Sequence, residues 1–166
     1  MAGLRRPRRA EAKTRTPALR HARITAGPLT VDIESDEAGR LHAVRLPVEL
    51  PDGLTTEHLS SVLTQLERHQ LVLDASRPFY HSVWQRMRKI PWGHALTYGE
   101  IAAALGSPHA SRAVGQACGA NPLPLIVPCH RVIGTQGPGG FASGLAWKNK
   151  LLELETERRG PMASGG

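Results

Sequence analysis

The sequence predicts an α+β fold: a small amino-terminal α/β domain with a short antiparallel sheet, followed by a mainly helical, winged-helix-like domain containing a helix-turn-helix. Three observations predict it. Two extended segments separated by a turn-rich stretch come first, a helix-spaced apolar stripe follows, and two short helices with a glycine at their junction lie farther on. A chain of 166 residues suffices for one ordinary domain or two small ones sharing an interface. The expected divisions are a basic, disordered arm over 1–23, a structural α/β domain over 24–76, a second domain over 77–157 and a flexible tail over 158–166.

The start, "MAGLRRPRRAEAKTRTPALRHAR", has no apolar core and is not a secretory signal. Its Arg-rich, acid-poor composition suits a transit peptide, but two prolines and few apolar residues spoil an amphipathic helix, which leaves a basic arm. "ITAGPLTVDIE" and "GRLHAVRLPVEL" read as the two strands of a hairpin turning at "SDEAG". In "TTEHLSSVLTQLERHQ", Leu59, Val62, Leu63 and Leu66 share one helical face. "LDASRPFYHSVWQRMRKIP" places Phe79, Val83, Trp84 and Met87 on another, and Pro91 ends the segment.

Thr97 and Glu100 in "TYGEIAAALG" form a T-x-x-E capping box for a helix running through Leu105. Gly106 breaks it; Ser107 and Pro108 are suited to cap and begin the next helix. That second helix, "SPHASRAVGQACGAN", consists of small residues around one long cation, Arg112. Small residues let a helix approach DNA closely or pack tightly on a neighbour, and they read few bases.

Net charge is +7, unevenly divided. Residues 1–23 carry +7, residues 24–76 carry −6, and residues 77–150 carry +7 from eight basic side chains against Glu100 alone. Two basic parts around an acidic one suit a polyanion such as nucleic acid. No apolar run approaches the ~20 residues of a membrane helix. The two cysteines, Cys118 and Cys129, form neither a CxxC pair nor a zinc-spaced cluster, so a reducing compartment and no metal are expected.

Cys129 sits in the oily run "PLIVPCHRVIG", read as a strand that Pro128 ends, with Cys129 at its tip. The reading of a buried inert cysteine stands beside that of a nucleophile activated by a base. His130 is adjacent, but strand neighbours point to opposite faces, so contact requires a turn or a bridging water.

"PCHRVIG" followed by "GGF" and "KNKLLELE", and preceded by "TYGEIA", "SRAVGQA" and "NPLPLIVP", closely resembles the O6-alkylguanine-DNA alkyltransferases, the methylated-DNA–protein-cysteine methyltransferases. The resemblance runs from about Phe79 to Glu155 with the motifs in order. It implies a DNA repair protein that flips O6-alkylguanine, chiefly O6-methylguanine and also O4-methylthymine, out of duplex DNA. The alkyl group passes irreversibly to Cys129 in a single turnover, without a cofactor. His130 would act on Cys129 through a water, Glu155 would hold His130, and Asn121 would brace the turn before the cysteine. Tyr98 would help rotate the nucleotide and protonate the leaving guanine. Arg112 would enter the stack in place of the flipped base, with Ser111, Ala113 and Gly115 beside it on the recognition helix.

The resemblance places Pro124, Cys129, Val132, Phe141, Ala142 and Ser143 around the alkylguanine. The loop "IGTQGPGGFAS" is about one residue shorter than in some relatives, so either Ala142 or Ser143 takes the backbone-donor position near guanine O6. Phe141 stands where tyrosine is common, and the zinc ligands of some relatives have no counterpart. Cys118 is expected to be structural. The implied partner is double-stranded DNA containing O6-alkylguanine, met by a monomer away from any membrane, in a nucleoid-associated cytoplasmic location or in a nucleus according to the source. The rival class, a helix-turn-helix transcription factor with an incidental cysteine, predicts one tightly bound operator and indifference to Cys129→Ala.

Overall fold

The computed structural model describes residues 16–157. The expectations for residues 1–15 and for the tail lie outside them.

Three antiparallel strands, β1 (Arg20–Ala26), β2 (Leu29–Ser35) and β3 (Leu41–Arg45), form a sheet in the order β1-β2-β3. One more strand is present than expected, because "ITAGPLTVDIE" is itself a hairpin. Ala26 pairs with Leu29, leaving Gly27-Pro28 as a two-residue loop, and Gly27 takes φ 55°. A glycine at the first central position suits a type II′ turn. A Cβ there would also run into the His58 ring. β1 begins at Arg20, inside the stretch expected to be disordered arm. Of its side chains only Ile24 is buried, so this strand carries almost no hydrophobic period.

β2 alternates clearly, burying Leu29, Val31 and Ile33. Cross-strand pairs Arg23–Asp32 and Arg45–Glu34 cover its outer face. Buried Asp36 closes the β2–β3 turn, accepting from the backbone N–H groups of Ala38 and Arg40 and from the side chains of Arg40 and His42.

α1 (Thr56–Leu66) packs Leu59, Val62 and Leu66 on the sheet, and Thr55 caps its amino terminus in a reciprocal box with His58. α2 (Pro78–Met87) begins with proline at its first position and buries Val83, Trp84 and Met87. The buried Trp84 indole donates to the Ala117 carbonyl at 2.8 Å, fixing α2 against the helix that carries Ala117.

β4 (Leu96–Thr97) leads into α3 (Tyr98–Ala104), capped as expected by Thr97 and Glu100. Gly106 turns the chain at φ 72°. α4 (Ser111–Gly119) starts three residues later than Pro108, and no side chain caps it. Ser107 and Pro108 instead make a turn closed by Ala110 N–H to the Ser107 carbonyl at 2.9 Å. Proline is as welcome at the second position of such a turn as at a helix start, and here the turn prevails.

β5 (Val132–Ile133) pairs in parallel with β4, and α5 (Leu145–Glu157) ends the described chain. Buried side chains from the sheet, α1 and the later helices form one continuous apolar cluster. Polar ties cross it as well. Val44 N–H donates to the Pro122 carbonyl, the Trp147 indole to the Pro47 carbonyl, and the Thr56 hydroxyl to the Leu154 carbonyl. No described helix is long and apolar enough to cross a membrane.

Candidate active site

The segment between α4 and Cys129 is built around missing donors. Pro122, Pro124 and Pro128 have no N–H, so a regular ladder cannot run through it. Asn121 substitutes with its side chain: Nδ2 donates to the Val127 carbonyl at 2.7 Å and Oδ1 accepts from Leu123 N–H at 3.0 Å. Leu125 is held in the left-handed region at φ 76°, a conformation that costs a non-glycine residue roughly 1–2 kcal/mol. "PLIVP" is therefore a tight turn, and the expected strand is absent. Cys129–Arg131 follows as a single 3-10 turn. Cys129 and His130 thus stand about 120° apart around a helical axis, not on opposite faces of a strand.

His130 is buried and its Nε2 meets Glu155 Oε1 at 2.6 Å. Glu155 is held from other sides too. Arg131 reaches both carboxylate oxygens, with Nε at 3.1 and 2.9 Å and one terminal nitrogen at 2.9 Å, and Gly93 N–H donates at 3.0 Å. Arg131 also donates to the Ile90 carbonyl, and the Trp92 indole donates to the Glu155 carbonyl. Burial alone would raise the Glu155 carboxyl, but hydrogen bonds from His130 and Arg131 outweigh it and bring its pKa to about 2. Burial lowers His130 below the usual imidazole value despite its carboxylate, whose charge Arg131 already matches. His130 is therefore neutral near pH 7. An ionised Glu155 fixes the proton on Nε2, which leaves Nδ1 as the acceptor. Nδ1 is buried and meets no partner among the described residues.

Both groups couple stability to pH in one direction. Glu155 binds its proton more weakly folded than unfolded, so its contribution is complete above the ordinary value of 4.5 and disappears as pH falls toward about 2. His130 is also harder to protonate when folded, so acid below its ordinary value of 6.5 draws the chain toward the unfolded state. The melting midpoint, followed by circular dichroism, is expected to fall continuously from about pH 6.5 to pH 3. A midpoint that rises on acidification contradicts this network.

Cys129 opens on a cavity of about 400 Å³ shared with Tyr98, Gly115, Cys118, Gly119, Gly140, Phe141 and Ala142. Burial raises the Cys129 thiol, while the Asn121 side chain and the Lys148 charge oppose the shift. Burial also raises the Tyr98 phenol, whose oxygen takes a hydrogen bond from Gly140 N–H, so Tyr98 stays a neutral proton donor. Gly139 has φ 72°, and a Cβ on it would strike the Tyr98 hydroxyl. Gly139→Ala is expected to cost about 2 kcal/mol and lower the melting midpoint by about 5 °C. An unchanged midpoint would show that the loop relaxes freely.

The family model for the DNA-binding domain of 6-O-methylguanine DNA methyltransferase matches residues 78–157, from the start of α2 to the end of α5. A methylated-DNA–protein-cysteine methyltransferase of Methanosarcina acetivorans is 56% identical over 78 residues, which are 46% of this chain and 50% of that protein. The chain thus matches about half the length of its curated relatives. The crystal structure of Mycobacterium tuberculosis O6-methylguanine methyltransferase superposes with a TM-score of 0.67 and 32% identity, covering 85% of this chain and 94% of that one.

This chain belongs to the O6-methylguanine-DNA methyltransferase family.

A Mycobacterium tuberculosis family structure solved in complex with DNA matches with a TM-score of 0.66 and 32% identity, over 83% of this chain and 93% of that one. The structure sets Asn121 against the Cys129 thiol, pairs His130, one residue on, with Glu155, and puts Tyr98 on the cavity wall. Arg112 is exposed on α4, one turn before the cavity-lining Gly115; Ser111 lies near Gly99 of α3, and Ala113 faces toward the side of the buried Ala117.

The cavity lining differs from the pocket expectation at Val132 and Pro124. Val132 is fully buried and paired with Leu96, so its side chain joins the core and not the cavity wall. Pro124 is half-buried in the turn and is not among the lining residues, and of the two alternatives Ala142 lines the cavity where Ser143 does not. Cys118, expected to be structural, lines the cavity too, with its thiol pushed up to about 12 by burial and its Sγ 3.6 Å from Met87 Sδ. Arg131 and Lys148, given no role beyond their charge, are both buried. A basic residue directly after Cys-His was the one available signal for Arg131, and nothing in the spacing marked Lys148.

Proposed function

We propose that this family member repairs duplex DNA by moving the alkyl group of O6-alkylguanine onto Cys129. The observation that carries the reading is the relay itself. A thiol opening on a cavity is followed directly by a neutral histidine whose outer nitrogen is fixed on Glu155 and whose Nδ1 is free to accept. The target oxygen lies inside the base stack, so the nucleotide must first be extruded into the cavity, with exposed Arg112 entering the gap.

The Cys129 proton passes through a water to His130 Nδ1, and Glu155 stabilises the imidazolium. The sulfur attacks the alkyl carbon in line with the C–O6 bond, forming S–C as C–O6 breaks. Tyr98 donates its proton to the departing guanine, and the proton held by His130 restores the phenol. The net change is thiol plus O6-alkylguanine to thioether plus guanine. A thioether offers no low-energy route back, which makes the chain a single-use acceptor. Methyl is the chief group proposed, from guanine and also from O4 of thymine, and the acceptor works as a monomer wherever the cell keeps its DNA.

Incubation with duplex DNA carrying radiolabelled O6-methylguanine is expected to place one methyl equivalent on Cys129. A chain that binds the lesion without gaining label overturns the proposal, and so does tight binding to one undamaged operator. Few base-reading side chains line α4, so affinity is expected to rest on phosphates. The slope of log K against log salt should be about −3 to −5. A slope near zero, measured by fluorescence anisotropy, contradicts a phosphate-driven interface.

A further inference from the structure

The steps above use one thiol, yet the cavity carries two. Cys118, from the last turn of α4, and Cys129 both line it, both are free, and both are buried. A run of three hydrogen bonds holds them to one frame. The Cys118 carbonyl accepts from Asn121 N–H at 3.2 Å, Asn121 Nδ2 donates to the Val127 carbonyl at 2.7 Å, and that same carbonyl accepts from Cys129 N–H at 2.8 Å. The two cysteines thus stand at the two feet of the Asn121 turn, facing one space.

The thiols are not alike. Cys129 is followed by His130, whose Nδ1 can take a proton. Cys118 meets a thioether instead: its Sγ is 3.6 Å from Met87 Sδ, a weak acceptor that cannot serve as a base. Cys118 therefore does not compete for the first alkyl group. Among the described residues lining the cavity, the remaining nucleophilic side-chain atom is the Tyr98 oxygen, which Gly140 N–H already holds. A methyl group gives Cys118 nothing to do, since the thioether that forms is inert. An alkyl group with a leaving group on its second carbon differs, because the new thioether is itself an electrophile.

We infer that Cys118 is a second acceptor: after Cys129 takes a β-haloethyl group from guanine O6, Cys118 closes it into an ethylene bridge between the two sulfurs. This rests on the reading of Cys129 as acceptor and extends its substrates to O6-(β-haloethyl)guanine. The Cys129 sulfur bonds to the carbon on O6 as that C–O bond breaks, and guanine takes the proton. The thioether sulfur then displaces halide from the second carbon, forming a three-membered sulfonium ring. The Cys118 sulfur bonds to a ring carbon as its C–S bond opens, and the Cys118 proton leaves to solvent. Two thiols and one O6-haloethylguanine become a bridged dithioether, guanine, halide and a proton. Ring strain and positive charge let the sulfonium alkylate a neutral thiol, so burial that pushes Cys118 up to about 12 does not block this step. Without the second thiol, the ring is left to water or to the bound DNA, which would join the chain to the duplex it repairs.

The first arm of the test needs no DNA, so failure of the bridge and failure of methyl transfer are told apart. The full chain is treated with ethylene dibromide, digested and mapped by mass spectrometry. The expected product joins the Cys118 and Cys129 peptides through one ethylene group in place of two thiol hydrogens. An oriented neighbour far outcompetes water, so this product should exceed Cys129 bearing a hydroxyethyl group by about tenfold or more. Cys118→Ala and Cys118→Ser should give the hydroxyethyl product alone. In the second arm, duplex DNA carrying O6-(β-chloroethyl)guanine should leave the parent chain bridged and free of DNA. The Cys118 variants should yield about tenfold more covalent chain–DNA product per alkylated chain. Hydroxyethyl on Cys129 as the main product of the parent chain overturns the inference, and this readout needs no variant to fold. Equal cross-linking to DNA by parent and variants also overturns it. A chain that forms the bridge with ethylene dibromide but takes no methyl from O6-methylguanine overturns the acceptor reading, and with it the haloethylguanine substrate.

Discussion

Cys129→Ser is expected to fold, to bind alkylated duplex DNA as tightly as the parent chain, and to accept no methyl group from it. Serine keeps the size and polarity that this buried position accommodates, beside the side chain of Asn121. An alcohol is far harder to ionise than a thiol, and a neutral imidazole cannot make up the difference. The loss should be complete on the timescale of the parent reaction, with binding by anisotropy unchanged. Cys129→Ala should behave alike. Label appearing on the chain in either variant would place the acceptor elsewhere, and Cys118 on the same cavity is the residue that peptide mapping should then examine.

Arg131→Met is expected to destabilise the fold by about 3–5 kcal/mol, because it strands the Glu155 carboxylate in the interior. The midpoint should drop by about 10 °C, as 1 kcal/mol moves a chain of this size by about 2–4 °C. Arg131 makes three hydrogen bonds to that carboxylate and one to the Ile90 carbonyl, so more than one acceptor is left unpaired. The decisive comparison is a cycle with Glu155→Gln. Each single change leaves one charge or several donors without a partner, whereas the pair removes both charges together. The double variant should therefore be markedly less destabilised than the two single losses added. Simple additivity, measured by urea unfolding, would show that Arg131 and Glu155 do not depend on each other.

Much of this fold is legible in the sequence where the information is local. The Thr97–Glu100 box and the α1 stripe of Leu59, Val62, Leu63 and Leu66 are set within one or two turns of chain; the box forms, and the stripe buries all but Leu63, which is partly buried at its edge. β1 escapes because an edge strand burying little beyond Ile24 leaves no alternation to see. "PLIVP" misleads because a run of aliphatic residues is compatible with a strand, while the donors missing at Pro122, Pro124 and Pro128 favour a turn that Asn121 holds. The family motifs point to Cys129, His130 and Glu155 together. The Arg131 brace could not be read in the same way: its partner lies 24 residues on, and the chain must fold before a basic side chain is known to point inward.

The three polar ties described above between the amino-terminal unit and the rest of the molecule end on main-chain oxygens: Pro122, Pro47 and Leu154. A carbonyl accepts in the same way whatever side chain its residue bears. The sheet therefore acts as a splint on the Asn121 turn through Val44, and a splint is judged by its shape, not by its surface chemistry. The family model matches from α2 onward, while the likeness of shape covers 85% of the chain. The same reasoning warns against trimming the chain to its matched part. Without the splint the turn that aims Cys129 would have to hold Leu125 in its left-handed bend unaided.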